Sequence, residues 1–158
     1  MCRCNWARWW AETALGFAVA PTDPLRAIVT DFGFAHVTED GGKSWTNVGL
    51  EESMHIGEII VHPHEGDVVY VAALGNLWAP DASRGVYKTT DGGDTWELVN
   101  FVSDEAGFVD VAIHPKDPDV LFATSWERVR GPYFLQSGGP GSALWKTADG
   151  GDTWTKVE

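Results

Sequence analysis

Short runs of apolar or alternating apolar and polar residues recur along the chain, in three units of four runs each. In the second unit the runs are GEIIV at 57–61, VVYVA at 68–72, GVYKT at 85–89 and TWELV at 95–99. Matching runs occupy 14–20, 26–30, 34–38 and 44–48 in the first unit, and 108–113, 120–124, 143–147 and 153–157 in the third. Runs of this length, separated by Gly- and Pro-containing turns, are typical of β-strands. The pattern therefore predicts an all-β chain of short antiparallel strands.

One short motif stands between the third and fourth run of every unit. It reads TEDGGKSW at 38–45, TTDGGDTW at 89–96 and TADGGDTW at 147–154, and its aspartates lie 51 and 58 residues apart. Aspartate accepts hydrogen bonds from nearby backbone N–H groups and glycine takes a positive φ, so the motif predicts a hairpin turn. The tryptophan that ends the motif is expected to point between neighbouring sheets. We therefore assign structural roles to Asp40, Trp45, Asp91, Trp96, Asp149 and Trp154.

Four antiparallel strands that repeat about every fifty residues form the blade of a β-propeller. The predicted blades span 11–50, 51–102 and 103–158, and residues 1–10 form an N-terminal tail that aligns with no blade. Propellers close with typically about four to eight blades, so three blades predict an incomplete ring with uncovered apolar faces. We expect the chain either to self-associate or to be joined by further blades of a longer chain.

The motif resembles the Asp-box, or BNR repeat, of sialidases, xyloglucanase-like hydrolases and sortilin-type receptors. The segments MHIGEIIVHP at 54–63, VAALGNLW at 71–78 and RGVYK at 84–88 are also similar to large bacterial proteins that carry sortilin-like repeats and are often labelled glycosyl hydrolase. The resemblance implies a propeller in which the Asp-box serves folding and lies away from the ligand face. It also implies a secreted or periplasmic location, although the sequence shows no clear export signal.

Composition and charge narrow the range of partners. The net charge is -12, whereas nucleic acids and anionic membrane surfaces require a basic patch, so we expect neither as a partner. No apolar run approaches the roughly 18 residues of a membrane span. Cys2 and Cys4 are the only cysteines and predict neither a disulfide framework nor a zinc site. The Asp-Gly-Gly-Asp turns depart from the EF-hand pattern, so no metal and no cofactor is predicted.

The strand order places two insertions, at 76–84 and 127–136, on the face opposite the Asp-box turns. Their aromatic and charged side chains suit a sugar, whose flat C–H faces stack on rings, and they equally suit a peptide. Function commonly resides in such loops on a rigid scaffold. We therefore predict a ligand-binding surface for a glycan, peptide or protein, made of Trp78, Arg84, Trp126, Glu127, Arg128, Arg130 and Tyr133. The alternative is that these aromatic side chains only cover the loops.

A second interpretation is catalytic. The segment TDFGFA at 30–35 is similar to the Thr-Asp-x-Gly-Gly-Ala stretch of xyloglucanase-like hydrolases, in which the aspartate is one of two catalytic acids. The resemblance implies a catalytic role for Asp31, although Phe34 replaces the second glycine and no second such motif is present. A sialidase-like site needs an arginine cluster and a tyrosine, and the chain has these types without the family's spacing. We expect a binding or scaffold module, with part of a glycoside hydrolase as the alternative.

Overall fold

The computed structural model describes residues 16–30, 34–50 and 52–158. Every regular element in these ranges is a β-strand, and the strands form three antiparallel sheets, none of them closed on itself. The predicted all-β class and the three-bladed, incomplete propeller are confirmed. The described residues include no helix that is long and apolar enough to cross a membrane.

The first sheet contains β1 (Gly16–Val19), β2 (Ala27–Thr30), β3 (Ala35–Thr38) and β4 (Thr46–Asn47). The second sheet contains β5 (Ile56–Val61), β6 (Val69–Ala73), β7 (Gly85–Thr89) and β8 (Glu97–Asn100). The third sheet contains β9 (Ala106–Ile113), β10 (Leu121–Arg130), β11 (Leu135–Ser137), β12 (Ala143–Thr147) and β13 (Thr155–Lys156). In the first two sheets the strands pair in chain order, as a four-stranded blade requires.

The third sheet has one strand more than predicted. β10 pairs with β9 from Leu121 to Glu127 and then continues to Arg130, where its last three residues pair with β11. The segment 127–136, which we expected to be a loop, is therefore largely a β-hairpin. Its tip is closed by a hydrogen bond that Gly131 N donates to Phe134 O over 2.9 Å.

Two apolar cores lie between the sheets. The first core includes Ile28 of the first sheet and Val71 of the second, and the second core includes Tyr70 of the second sheet and Phe108 of the third. Neighbouring residues of β6 thus face different cores, which explains why all five residues of this strand are buried. Burial of each large apolar side chain contributes about 1.5–3 kcal/mol, so the two cores hold the three sheets together as a stack.

The first strands of the three sheets lie side by side, with β5 between β1 and β9. Glycines permit this close approach. A Cβ atom added at Gly57 in β5 would lie 2.4 Å from Val109 O, and one added at Gly107 in β9 would lie 2.4 Å from Leu74 O. Because these obstacles are backbone atoms, a larger residue at either position would force the sheets apart.

Antiparallel pairing sends the connections to two opposite ends of the sheets. The Asp-box turns and the turns between the first and second strand of each sheet share one end, which we call the box face. They are joined there by equivalent hydrogen bonds of 2.9 Å from Gly41 N to Leu25 O, from Gly92 N to Asp67 O and from Gly150 N to Asp119 O. The links between sheets, the β6–β7 loop and the β10–β11 hairpin share the other end, which we call the loop face.

Candidate functional site

The carboxylate of each Asp-box aspartate accepts hydrogen bonds from its own turn. Asp91 Oδ1 accepts from Thr95 N at 2.9 Å and from Thr89 Oγ1 at 2.7 Å, and its Oδ2 accepts from Thr95 Oγ1 at 2.6 Å. Asp40 and Asp149 have the same arrangement in their own turns. The two glycines that follow each aspartate all have positive φ, which lets the chain wrap around the carboxylate.

These hydrogen bonds lower the pKa of all three aspartates from 3.8 to about 2. The largest cause is in each case a side-chain hydroxyl, which is that of Ser44 at Asp40, of Thr95 at Asp91 and of Thr147 at Asp149. Most of the lone-pair sites of each carboxylate are thus engaged within the turn. The part of the chain that the structure describes contains no group of three or more His, Cys, Asp or Glu side chains placed to share a metal ion.

Side chains near the Asp-box turns also connect neighbouring sheets. Trp96 Nε1 donates to Val48 O at 2.7 Å, which joins the second motif to the segment after β4. Tyr70 Oη donates to Gly150 O at 2.7 Å, which joins the second sheet to the third motif. Burial, reinforced by Asp119 and other carboxylates, raises the pKa of Tyr70 to about 12, so the phenol remains a donor. The motif turns thus take part in contacts between neighbouring sheets.

The loop face carries two arginines that stack on tryptophans. The Arg130 guanidinium lies over the Trp78 ring, 5.3 Å from its centroid, and the Arg128 guanidinium lies over the Trp126 ring at 4.5 Å. Such cation–π contacts fix the orientation of the guanidinium while its N–H groups remain able to bind an anion. Trp78 itself is 57% exposed.

The tip of the β10–β11 hairpin adds further exposed rings. Tyr133 is fully exposed, and Phe134 and Leu135 are 60% and 56% exposed. Exposed apolar groups collected in one place are typical of interaction sites. We use the name aromatic–arginine surface for the set formed by Trp78, Trp126, Arg128, Arg130 and Tyr133.

Arg84 lies beneath this region and is fully buried. Its guanidinium donates to Asn76 O at 2.5 Å, Glu105 O at 3.0 Å, Arg128 O at 3.2 Å and Ala79 O at 3.3 Å. Burial holds the pKa of Arg84 below its ordinary value. The side chain joins the β6–β7 loop to β10 and to the link before β9, so it is not accessible to a ligand in this structure.

Glu127 is also buried, at 6% exposure. Its Oε1 accepts from Gln136 Nε2 at 2.8 Å, and its Oε2 accepts from Gly141 N at 2.9 Å. The carboxylate thus holds β11 and the following loop against β10. Of the predicted ligand-binding residues, Arg84 and Glu127 form this support. Arg128 stacks on Trp126, Arg130 stacks on Trp78, and Tyr133 lies at the exposed tip of the hairpin.

A second carboxylate near this face is held in a similar way. Asp81 accepts hydrogen bonds from Asn76 N at 2.6 Å and from Ser83 N at 2.9 Å. Burial raises the pKa of Asp81, but the hydrogen bonds and the nearby Arg84 outweigh it and leave the pKa below the ordinary value. Asp81 therefore shapes the β6–β7 loop that presents Trp78.

Within the described ranges, Arg128 and Arg130 form no ion pair, because the two ion pairs present there are Arg26–Asp67 and Lys88–Asp152. Both guanidinium groups are held over aromatic rings and are not neutralised by a carboxylate of the described residues. The aromatic–arginine surface is therefore suited to a ligand that carries negative charge. Asp31, the predicted catalytic residue, lies outside the described residues.

The sequence reasoning missed the hairpin that carries Tyr133 and Phe134, and it did not separate the buried Arg84 from the exposed Arg130. A signal for the hairpin was present in Gly131 and Pro132, a turn dipeptide between two runs that contain apolar residues. No comparable signal distinguishes one arginine from another, because the carbonyl oxygens around Arg84 come from three separate segments of the chain.

Comparison with solved structures shows the same fold in three glycoside hydrolases of family GH74. An ancestral GH74 enzyme superposes with a TM-score of 0.71 at 18% identity over 92% of this chain. The GH74 xyloglucanase from Xanthomonas campestris superposes with a TM-score of 0.63 at 21% identity over 91% of this chain. The GH74 enzyme from Niastella koreensis superposes with a TM-score of 0.55 at 14% identity over 89% of this chain. The chain spans 18%, 20% and 29% of the lengths of these three proteins. At such identities the likeness establishes the fold alone.

Comparison by sequence identifies the family. A search against curated proteins gives no match. The Sortilin-Vps10 family model, described as sortilin, neurotensin receptor 3, matches residues 34–158, which include all three Asp-box motifs and the whole of the second and third sheets. The resemblance to sortilin-like and xyloglucanase-like propellers is thereby confirmed, and the chain belongs to the Sortilin-Vps10 family.

Proposed function

We propose that this chain is a binding module that recognises its partner on the aromatic–arginine surface. The observation that carries the proposal is the pair of stacked arginines, Arg128 on Trp126 and Arg130 on Trp78, beside the exposed ring of Tyr133. Fixed guanidinium groups bind anions with geometric specificity, and exposed rings contribute contact area at a low entropic cost. The partner is a glycan, a peptide or a segment of a protein.

Two carboxylates that adjoin the surface, those of Glu127 and Asp81, serve the local structure. Glycoside hydrolysis generally uses two carboxyl groups that face the sugar, separated by about 5–9.5 Å. Glu127 and Asp81 are each engaged by two or more hydrogen bonds that hold the local structure, so neither faces a ligand freely. The support they give keeps the surface rigid, which benefits recognition.

The proposal is tested by titrating the purified chain with three probes: a galacturonate oligosaccharide, a neutral xyloglucan oligosaccharide and a short acidic peptide. We expect at least one anionic probe to bind and Trp78→Ala and Arg130→Gln each to raise its Kd about tenfold, which corresponds to about 1.4 kcal/mol. Trp145→Phe, which alters a tryptophan outside the surface, serves as the control for tryptophan content. Absence of binding by all three probes, or binding that neither surface variant weakens, would overturn the proposal.

The alternative function is that of a part of a glycoside hydrolase, in which Asp31 would be one of the two catalytic carboxylates. The observation in its favour is the TDFGFA segment together with the GH74 fold. It predicts release of reducing ends from xyloglucan by the chain, or by a longer protein that contains it, and loss of that release in Asp31→Asn. Equal turnover by the Asp31→Asn variant would remove Asp31 from any catalytic role.

A further inference from the structure

A polar cleft opens on the box face between the first and the second Asp-box motif. Its volume is about 270 Å³, and since a water molecule takes up about 30 Å³ of liquid, a small organic molecule fits inside. We use the name box-face cleft for this space, which is lined by carboxylates, hydroxyl groups, two valines, one arginine and one glycine: Glu39, Asp91, Asp94, Ser44, Thr46, Val37, Val48, Arg26 and Gly92.

The equivalent place between the second and the third sheet is filled by a lysine. Lys88 of β7 lies opposite Tyr70 of β6, and in the first sheet Val37 of β3 lies opposite Ile28 of β2 in the same way. The Lys88 side chain is 17% exposed, and its Nζ lies 3.5 Å from Asp152 Oδ1 in the third motif. Because Val37 holds the position of Lys88 with a shorter side chain, the repeat leaves space and lacks an ammonium group at the box-face cleft.

The carboxylate that this ammonium group would meet is nevertheless present. Asp94 is the sixth residue of the second motif, as Asp152 is the sixth residue of the third. Equivalent hydrogen bonds hold both turns against the sheet before them. The two ion pairs in the described ranges do not include Asp94, so no cation of these residues neutralises it.

The charges around the cleft favour a positively charged ligand. Arg26 is the cation in its lining, but it is paired with Asp67 of the β5–β6 turn. The cleft therefore carries three carboxylates against one guanidinium group that already has a partner. Val37 and Val48 add aliphatic surface, on which the carbon chain of an amine can pack as the stem of a lysine does.

We propose that the box-face cleft binds an aliphatic amine, whose ammonium group pairs with Asp94 as Lys88 Nζ pairs with Asp152. The carbon chain of the amine lies against Val37. A linear diamine is the preferred form, because Glu39 provides a second carboxylate in the same cleft. The cleft lies at the opposite end of the sheets from the aromatic–arginine surface, so this inference does not depend on the function proposed above.

The test titrates the full chain with 1,4-diaminobutane, and 1,4-butanediol serves as the uncharged probe of similar size. We expect the diamine to bind and the diol not to bind. Asp94→Asn should raise the Kd of the diamine about fivefold, as the loss of one exposed ion pair allows. Asp152→Asn is the matched control, because it removes the same charge from the site that Lys88 already fills, and it should change the Kd by less than about twofold.

A second pair of variants fills the cleft from within the chain. Val37→Lys supplies the ammonium group covalently, so binding of the diamine should be lost. Val37→Met extends the side chain without the charge and should retain more of the binding than Val37→Lys. Thermal unfolding of both variants establishes that each is folded before the titrations are compared.

The outcomes distinguish a site from general attraction to an acidic chain. Equal weakening by Asp94→Asn and Asp152→Asn would assign the binding to the net charge of -12 and would overturn the site. Binding of the diol as tightly as the diamine, or unchanged diamine binding by Val37→Lys, would overturn the pairing with Asp94. Absence of diamine binding would overturn the inference and leave the proposal for the aromatic–arginine surface untouched, since that proposal is tested with anionic probes.

Discussion

At the scale of single residues, three equivalent aspartates make the same hydrogen bonds, one in each turn. Asp40, Asp91 and Asp149 each accept a hydroxyl hydrogen bond at 2.5–2.6 Å from the Ser or Thr four positions later, and each has a pKa of about 2. The ionised form is thus the form that holds the turn. The motif is polar and acidic, yet its carboxylate accepts hydrogen bonds from its own turn.

This arrangement predicts how stability depends on acid. A group whose pKa is lower in the folded chain adds stability above its unfolded pKa and loses that stability as the pH falls toward the folded value. For the three aspartates this stability should be lost as the pH falls from about 3.8 to about 2. Denaturant unfolding measured across this pH range should show a falling midpoint in the wild type. The triple Asp→Asn variant should start from a lower midpoint and fall less steeply, and equal slopes in the two proteins would contradict the assignment.

The limits of sequence reasoning are also clearest at single residues. The turn chemistry of Asp91 was predictable because its partners lie within four residues along the chain. The burial of Arg84 was not, because its acceptors lie on separate segments that come together only in the folded molecule. The sequence alone does not distinguish a buried arginine that supports a site from an exposed arginine that forms part of it.

At the scale of secondary structure, the strands of the first two sheets follow the apolar pattern closely. The sequence pattern failed in β10, where Glu127 occupies a buried position that alternation reserves for an apolar residue. Hydrogen bonds from Gln136 and Gly141 make that burial possible, and neither partner is adjacent to Glu127 in sequence. The hairpin that carries the proposed site therefore could not be predicted from periodicity alone.

The contact between adjacent sheets depends on glycine, and this gives a prediction at the same scale. Gly107→Ala places a Cβ atom 2.4 Å from Leu74 O, a backbone atom that cannot rotate away. We expect a loss of about 1–3 kcal/mol in the free energy of unfolding, as is usual for overpacking. Gly66→Ala is the matched control, because its Cβ would meet a side-chain oxygen of Thr22 at 3.1 Å. Equal stability of the Gly107→Ala variant and the wild type would show that the sheets are less tightly apposed than described.

At the scale of the whole molecule, the three sheets form an open stack. The second sheet packs against a core on both sides, whereas Phe17 and Val19 of the first sheet are 61% and 43% exposed. Exposed apolar residues on the outer sheets are typical of surfaces that meet another sheet. The box face adds hydrogen bonds between neighbouring sheets to the packing of the two cores, and the loop face carries the residues that we assign to recognition of an anionic ligand.

The open stack predicts association in solution. Light scattering on the purified chain should show a mass that rises with concentration, since burial of outer apolar faces favours pairing of copies. Phe17→Glu should lower the association, and Leu98→Glu, which changes an exposed residue of the central sheet, should lower it less. A well-folded monomer at every concentration would contradict this expectation.

The Asp-box turns and the residues that we assign to recognition of an anionic ligand lie at opposite ends of the sheets. The most direct test measures thermal unfolding and the Kd of the tighter anionic probe for wild type, Asp91→Asn and Arg130→Gln. Our expectation is that Asp91→Asn lowers the Tm and leaves the Kd of the folded protein unchanged, whereas Arg130→Gln raises the Kd about tenfold and leaves the Tm unchanged. Loss of binding in Asp91→Asn at a temperature where it is folded, with wild-type binding by Arg130→Gln, would contradict it.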